Sequence, residues 1–237
     1  DTLEETVVFT LPSGFDTYGG ALAYRQGQNK FLVGAGNTLY DLLADGSVST
    51  ISSIPEFDDD YYYIKGLMNS PNSGEFWVVT NDSPDIYTVN VSNGSIVSSV
   101  TTSAIDIAQN PISGFQGMAE HPITGEVYVL FKDNSEDRYI GRLNTSNGEI
   151  ITVALTDSNY ASIAFDASGA LYAKKGSDSQ QMVTVNINTA PETAFHTYTN
   201  TGGGDMDAIG FNTTDNLMYR FEADDEGGEF VSLDLDT

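Results

Sequence analysis

Five copies of one short apolar signature, set at blade-length intervals, predict an all-β chain folded as a five-bladed β-propeller. The copies are Ala21-Leu22-Ala23-Tyr24, Gly66-Leu67-Met68, Gly117-Met118-Ala119, Ser162-Ile163-Ala164-Phe165 and Ala208-Ile209-Gly210-Phe211. Their first residues lie 45, 51, 45 and 46 positions apart, and 50 more carry the fifth copy through the C-terminus back to Ala21. A second observation is that the intervals read as four alternating or β-branched runs divided by turns. The third is that the last interval runs out of chain after three strands, while an unattached β run, Glu5-Thr6-Val7-Val8-Phe9-Thr10-Leu11, precedes the first. Pairing this run beside 229–235 closes the ring and removes two open sheet edges, which otherwise invite aggregation. A single domain over 1–237 follows, with four-stranded antiparallel blades and repeats near 21–65, 66–116, 117–161, 162–207 and 208–237 plus 1–20.

The elements follow in order. The first repeat opens on 21–24. The second gives strands at 66–68, 76–80, 86–91 and 96–101, with Asn93-Gly94 supplying the positive φ that a tight hairpin needs. In the third, 116–119 is followed by the turn His121-Pro122-Ile123-Thr124-Gly125, then strands at 126–131, 139–143 and 150–155. The fourth gives 162–165, 171–174, 182–187 and 193–198, and the fifth 208–211, 217–221 and 229–235. No helix, linker, low-complexity tract or second domain is visible.

Composition agrees with a strand-and-turn protein. Hydrophobic residues make up 40% and charged residues 18%, with the remaining polarity carried by Asn, Ser, Thr and Gly. The formal charge of −25, from 34 acidic and 9 basic residues, repels phosphate backbones and anionic bilayers, so no nucleic acid and no membrane insertion are expected. There is no Cys, hence no disulfide, and no apolar run approaches the ~18 residues that span a bilayer. A chain opening on Asp1 suggests a processed N-terminus or a module from something longer. The acidic, Lys-poor make-up fits a location outside the cell.

The segments Ser162-Ile163-Ala164-Phe165-Asp166-Ala167-Ser168-Gly169-Ala170-Leu171-Tyr172 and Ala208-Ile209-Gly210-Phe211-Asn212, with Leu217-Met218-Tyr219, carry a resemblance. They are similar to propeller repeats of large secreted or surface-anchored bacterial proteins. That resemblance implies an extracellular or cell-surface location and an adhesive or binding role in a larger assembly. It brings no catalytic residue with it. The Trp-Asp pairs of WD repeats are absent, as are the double glycines that kelch repeats carry in every blade; Trp77 is the only tryptophan.

In a propeller the D-to-A and B-to-C connections gather on one face and the A-to-B and C-to-D hairpins on the other. Here the first set is long and varied, so the long-loop face is the expected site. Phe15, Tyr18, Phe57, Tyr61, Tyr62, Tyr63, Phe115 and Tyr160 fall there, and none of the hairpin spans holds an aromatic residue. Tyr18, Tyr63, Phe115, Tyr160 and Met206 recur just before the inner strands and read as wedges between blades. The stretch Phe57-Asp58-Asp59-Asp60-Tyr61-Tyr62 does not recur. It is the leading ligand-binding candidate, since carboxylates suit Ca²⁺ and aromatic faces suit sugar rings. A solvated acidic loop is the alternative reading. Asp205 and Asp207, at the fifth inner strand, are further candidates.

Two acidic B-to-C loops, Asp133 with Glu136 and Asp137, and Asp224 with Asp225 and Glu226, are candidate Ca²⁺ sites; no organic cofactor is expected. Neither has the ligand spacing of an EF-hand. His121 and His196 are the only histidines and lie on the hairpin side or an outer strand, which argues against a His-based metal site or a Ser-His-Asp triad. Sequons at Asn81, Asn90, Asn93, Asn144 and Asn212 are expected by chance in so Asn-, Ser- and Thr-rich a chain. The expected function is a non-catalytic recognition or adhesion module binding a glycan or a surface protein. A carboxylate-dependent glycoside hydrolase, drawing on acids such as Asp16, Asp58, Asp60, Asp205 and Asp207, is one alternative. A structural spacer in a surface protein or fibre is the other.

Overall fold

The computed structural model describes residues 3–11, 20–25, 28–43, 46–57, 62–104, 110–156, 159–176, 181–188, 192–197, 206–224 and 227–235. The chain enters on β1 (Glu4–Leu11). Blade 1 is β2 (Ala21–Arg25), β3 (Lys30–Ala35), β4 (Thr38–Leu43) and β5 (Val48–Ser53). Blade 2 is β6 (Ile64–Asn69), β7 (Glu75–Thr80), β8 (Asp85–Asn90) and β9 (Ile96–Thr101). The short β10 (Ser103–Ala104) precedes blade 3, which is β11 (Ile112–Glu120), β12 (Val127–Asp133), β13 (Arg138–Leu143) and β14 (Glu149–Leu155). Blade 4 is β15 (Tyr160–Phe165), β16 (Leu171–Lys175), β17 (Gln181–Val185) and β18 (Glu192–Thr197). Blade 5 is β19 (Met206–Asn212), β20 (Leu217–Asp224) and β21 (Gly227–Asp234), completed by β1.

The five repeats are therefore five antiparallel blades, and β1 takes the fourth place in the last. Two details depart from the sequence reading. Pro55–Phe57 forms a 3-10 turn. In blade 3, β10 adds a fifth strand, parallel to β14, through Ser103 opposite Glu149 and Ala104 opposite Ile150. Both elements are too short to impose a period.

Alternation along the inner strands decides where the core sits. Apolar residues on the two faces of each blade meet the neighbouring blades, so the interior is divided into five wedges, one at each blade junction. Inner strands pack in a closed circuit: β2 on β6, β6 on β11, β11 on β15, β15 on β19, and β19 on β2. Phe115 and Tyr160 are wholly buried in two of the wedges. Blades approach closely enough to exclude side chains. A Cβ on Gly114 would come 2.0 Å from the Asn81 carbonyl oxygen of blade 2. Gly94 takes φ +70° in the hairpin between β8 and β9, and a Cβ there would strike the Ser53 carbonyl of blade 1.

The abundant Asn, Asp, Ser and Thr organise turns. Asn90 Oδ1 accepts the Ser92 N–H at 2.9 Å, Asn93 that of Ser95 at 3.0 Å, Asn144 that of Ser146 at 3.1 Å, and Asn212 that of Thr214 at 2.8 Å. Asn81 Oδ1 accepts the Tyr63 N–H at 2.7 Å. All five sequon asparagines thus hold backbone in place through their own side chains.

Closure combines three kinds of contact. The β1–β21 ladder runs from Glu4 opposite Asp234 to Leu11 opposite Gly228, with a register shift that leaves Val8 as a bulge. Phe9 stacks on Phe230 at 5.2 Å between centroids. Arg220, 1% exposed, donates to Glu5 of the closing strand at 3.0 Å and pairs with Glu222. Beside this junction the Tyr219 hydroxyl donates to Asp215 at 2.7 Å. Burial, the hydrogen bond to Asp215 and its negative charge together hold the Tyr219 phenol well above the ordinary range.

Replacing Arg220 with Met should cost about 3–5 kcal/mol in urea unfolding, because the buried Glu222 and the half-buried Glu5 lose their cation. A loss under about 1 kcal/mol would contradict the closure role given to this triad. Alkali provides a second check. The folded state keeps the Tyr219 proton above pH ~10, where an unfolded tyrosine releases it. The associated stability is complete below that pH and declines as pH rises toward the folded value. Unfolding free energy measured from pH 9 upward should fall, and Tyr219→Phe should make the fall shallower.

Candidate functional site

Each inner strand enters from the long-loop face and leaves into an A-to-B hairpin. The fourth position counted from the start of each signature therefore reaches the channel end on the hairpin face in every blade. Ladder register makes the positions equivalent: Tyr24 opposite Phe31, Asn69 opposite Phe76, Glu120 opposite Val127, Phe165 opposite Leu171, and Phe211 opposite Met218. These five residues rim a cavity of about 330 Å³. Its floor is the ring Leu22, Leu67, Met118, Ile163 and Ile209, with Thr213 at the edge.

Three rim positions are aromatic and two, on adjacent blades, are not. Asn69 and Glu120 are exposed, whereas Phe165 is buried and Tyr24 and Phe211 are half-buried. The aromatic side is anchored. Phe165 lies 4.9 Å from the His121 ring and 5.3 Å from Tyr128, and the Tyr24 hydroxyl shares a 2.8 Å hydrogen bond with Thr214. Asn69 Nδ2 donates to the Tyr24 carbonyl at 3.2 Å, linking blades 1 and 2 at the rim. Glu120 is the one carboxylate of the lining and makes no ion pair among the described residues. The result is a bowl of mixed polarity, with aromatic residues on one side, an amide and a carboxylate on the other, and the five floor side chains themselves buried in the wedges. Such a bowl can stack a ring and accept hydrogen bonds from its hydroxyl groups.

The long-loop candidates fare differently. Phe57 is 3% exposed and packs edge-on against Tyr87 at 4.9 Å, so it offers no free face to a ligand. Tyr62 is half-buried and lies parallel to Phe57 at 6.3 Å. Asp58, Asp59, Asp60, Tyr61, Asp205, Asp225 and Glu226 lie outside the described residues, as do Phe15, Asp16 and Tyr18. Asp207 and Asp224 are placed on β19 and β20 at backbone level.

Asp133 is wholly buried and its carboxylate is already engaged. Oδ1 accepts the Ser135 and Asp137 N–H groups at 2.8 and 3.1 Å, and Oδ2 accepts the Tyr139 hydroxyl at 3.2 Å. Burial first, then the Asp133 charge, raises the Tyr139 phenol. Glu136, at φ +64°, points outward to an ion pair with Lys132 at 3.1 Å, and Asp137 is exposed. Among the described residues no three His, Cys, Asp or Glu side chains group as metal ligands would. His121 accepts the Ile123 and Thr124 N–H groups on Nδ1 at 3.2 and 3.3 Å, which fixes a turn.

The residues missed by the sequence reading are Asn69 and Glu120. Their signal was a departure from the repeat: a polar residue where three blades have an aromatic one. The aromatic rim itself sits at strand ends, just outside the hairpin spans. Asp133→Ala should destabilise the fold by about 2–3 kcal/mol by stranding two N–H groups and a hydroxyl. The same melting-temperature loss with chelator present or absent would mark Asp133 as a turn cap; a loss that vanishes in chelator would mark it as a metal ligand.

No family model matches the chain, and no curated protein matches it in sequence. Solved structures do match. A glutaminyl cyclase from Myxococcus xanthus superposes with a TM-score of 0.56 at 11% identity, covering 98% of this chain and 97% of that one. A gluconolactonase from Xanthomonas campestris gives 0.59 at 9% identity, with 98% and 90% coverage. A glucose dehydrogenase gives 0.59 at 8% identity, with 98% and 99% coverage. At such identities the likeness is one of architecture, and all three agree on the propeller.

Proposed function

We propose that the chain is a recognition module that binds a neutral glycan, with one sugar ring seated in the hairpin-face bowl. The observation that carries the proposal is the uneven rim: the half-buried Tyr24 and Phe211, with Phe165 buried, against the exposed Asn69 and Glu120. Aromatic faces stack on the C–H face of a sugar, and an amide and a carboxylate accept and donate to its hydroxyls. A volume of about 330 Å³ is at the small end of ligand pockets, which suits one ring of a longer chain left free to continue outward. The acidic surface disfavours anionic sugars. An extracellular location, where such glycans are displayed, is part of the same proposal, as is Ca²⁺ in the 224–226 loop.

Catalysis is the second reading, favoured by the solved propellers carrying enzyme names, two of them tied by name to glucose or gluconolactone. Glycoside hydrolysis requires paired acids about 5–9.5 Å apart, and Glu120 alone supplies the bowl.

Calorimetric titration against a panel of neutral oligosaccharides tests the first reading. Tyr24→Ala and Glu120→Ala should each weaken binding about tenfold or more, equivalent to losing one well-placed contact. Binding untouched by both variants but abolished in an Asp58→Ala, Asp60→Ala double variant would move the site to the opposite face. Reducing sugar released from the same panel would favour catalysis.

A further inference from the structure

A second cavity lies in the junction between blades 5 and 1, beneath the closing strand. It measures about 170 Å³ and is walled by Tyr24, Phe31, Tyr219 and Phe230, with the bulged Val8 at its edge. The rings are locked to one another: Phe31 meets Tyr219 at 4.9 Å and Phe230 at 5.2 Å, and Tyr219 stacks on Phe230 at 5.1 Å. They cannot swing in to fill the space without breaking these contacts. Polar groups come from the two adjacent A-to-B hairpins: Asn29 and Lys30 from one, Asn212 and Asp215 from the other.

We propose that this junction is a binding site for a single aromatic ring bearing one hydroxyl, a simple phenol. An apolar cavity of about 150 Å³ takes one benzene ring, so the size admits one ring and little more. The walls suit stacked and edge-on ring contacts. The polar end suits one hydroxyl. Asp215 Oδ2 is occupied by Tyr219 and Asn212, but Oδ1 accepts only the Leu217 N–H at 3.1 Å and retains a lone pair for a phenolic O–H. Lys30 gives one of its three N–H groups to Asp41, leaving others for the phenol oxygen. A sugar, hydroxylated all round, would press unsatisfied hydroxyls against four aromatic walls. This site is independent of the glycan bowl, although Tyr24 borders both.

A ligand here touches β1, β3, β20 and β21 at once, so its binding should hold the ring shut. With millimolar phenol, the melting temperature should rise with concentration, as mass action requires. Carbon-detected aromatic NMR signals of Tyr219 and Phe230 should shift in a saturable way. Val8→Phe, which fills the junction, should abolish the response, while Glu120→Ala should leave it intact. Absence of both the melting shift and the NMR shift would overturn the proposal even if Val8→Phe fails to fold. An equal response to glucose, or a benzene response as strong as that of phenol, would overturn the assigned chemistry.

Discussion

Everything in this molecule depends on one antiparallel ladder between the beginning of the chain and its end. Each apolar wedge is bounded by two blades, so no wedge is complete unless both of its blades are. The β1–β21 pairing finishes the wedge between blades 5 and 1, which holds Leu22, Phe31, Phe221 and Phe230, and its outer end adds Leu3 and Leu233 to the wedge between blades 4 and 5. The contacts of closure span the sequence: Arg220 and Glu5 lie 215 residues apart. Joining such distant segments carries the largest loop-closure entropy in the fold, and contacts of this kind form late. Without a disulfide, the offset comes from a ladder, an aromatic stack and a buried ion triad acting together.

The architecture was legible because a period imposes itself on many residues at once. Five signature copies and a leftover strand leave few arrangements other than a closed ring. What escaped was local. Two residues of β10 carry no alternation, and a single 3-10 turn at Pro55–Phe57 carries no helical stripe.

The site was less legible for a physical reason: the same residue types do different work depending on which way they face. Phe57 stands beside acidic residues in sequence, yet its ring belongs to the wedge between blades 1 and 2. Asp133 resembles a metal ligand until the turn pattern is followed along the chain. Asp133-Asn134-Ser135 repeats the form of Asn90-Val91-Ser92, Asn144-Thr145-Ser146 and Asp166-Ala167-Ser168, where the first side chain accepts the N–H two residues on. The rim of the bowl hid in plain view, since Tyr24, Phe165 and Phe211 complete a signature that reads as packing. Only the two blades that break it, at Asn69 and Glu120, distinguish a lined opening from a plugged one.

The direction of the closing ladder has a mechanical consequence. Glu4 pairs with Asp234, so the outward ends of β1 and β21 lie side by side at the same end of the ladder. Tension applied through Glu4 and Asp234 would load these hydrogen bonds one after another, as in peeling tape, rather than all together in shear. A ring held shut by many contacts acting together would therefore yield to a weak pull applied at these two ends, and blade 5 would open before any other.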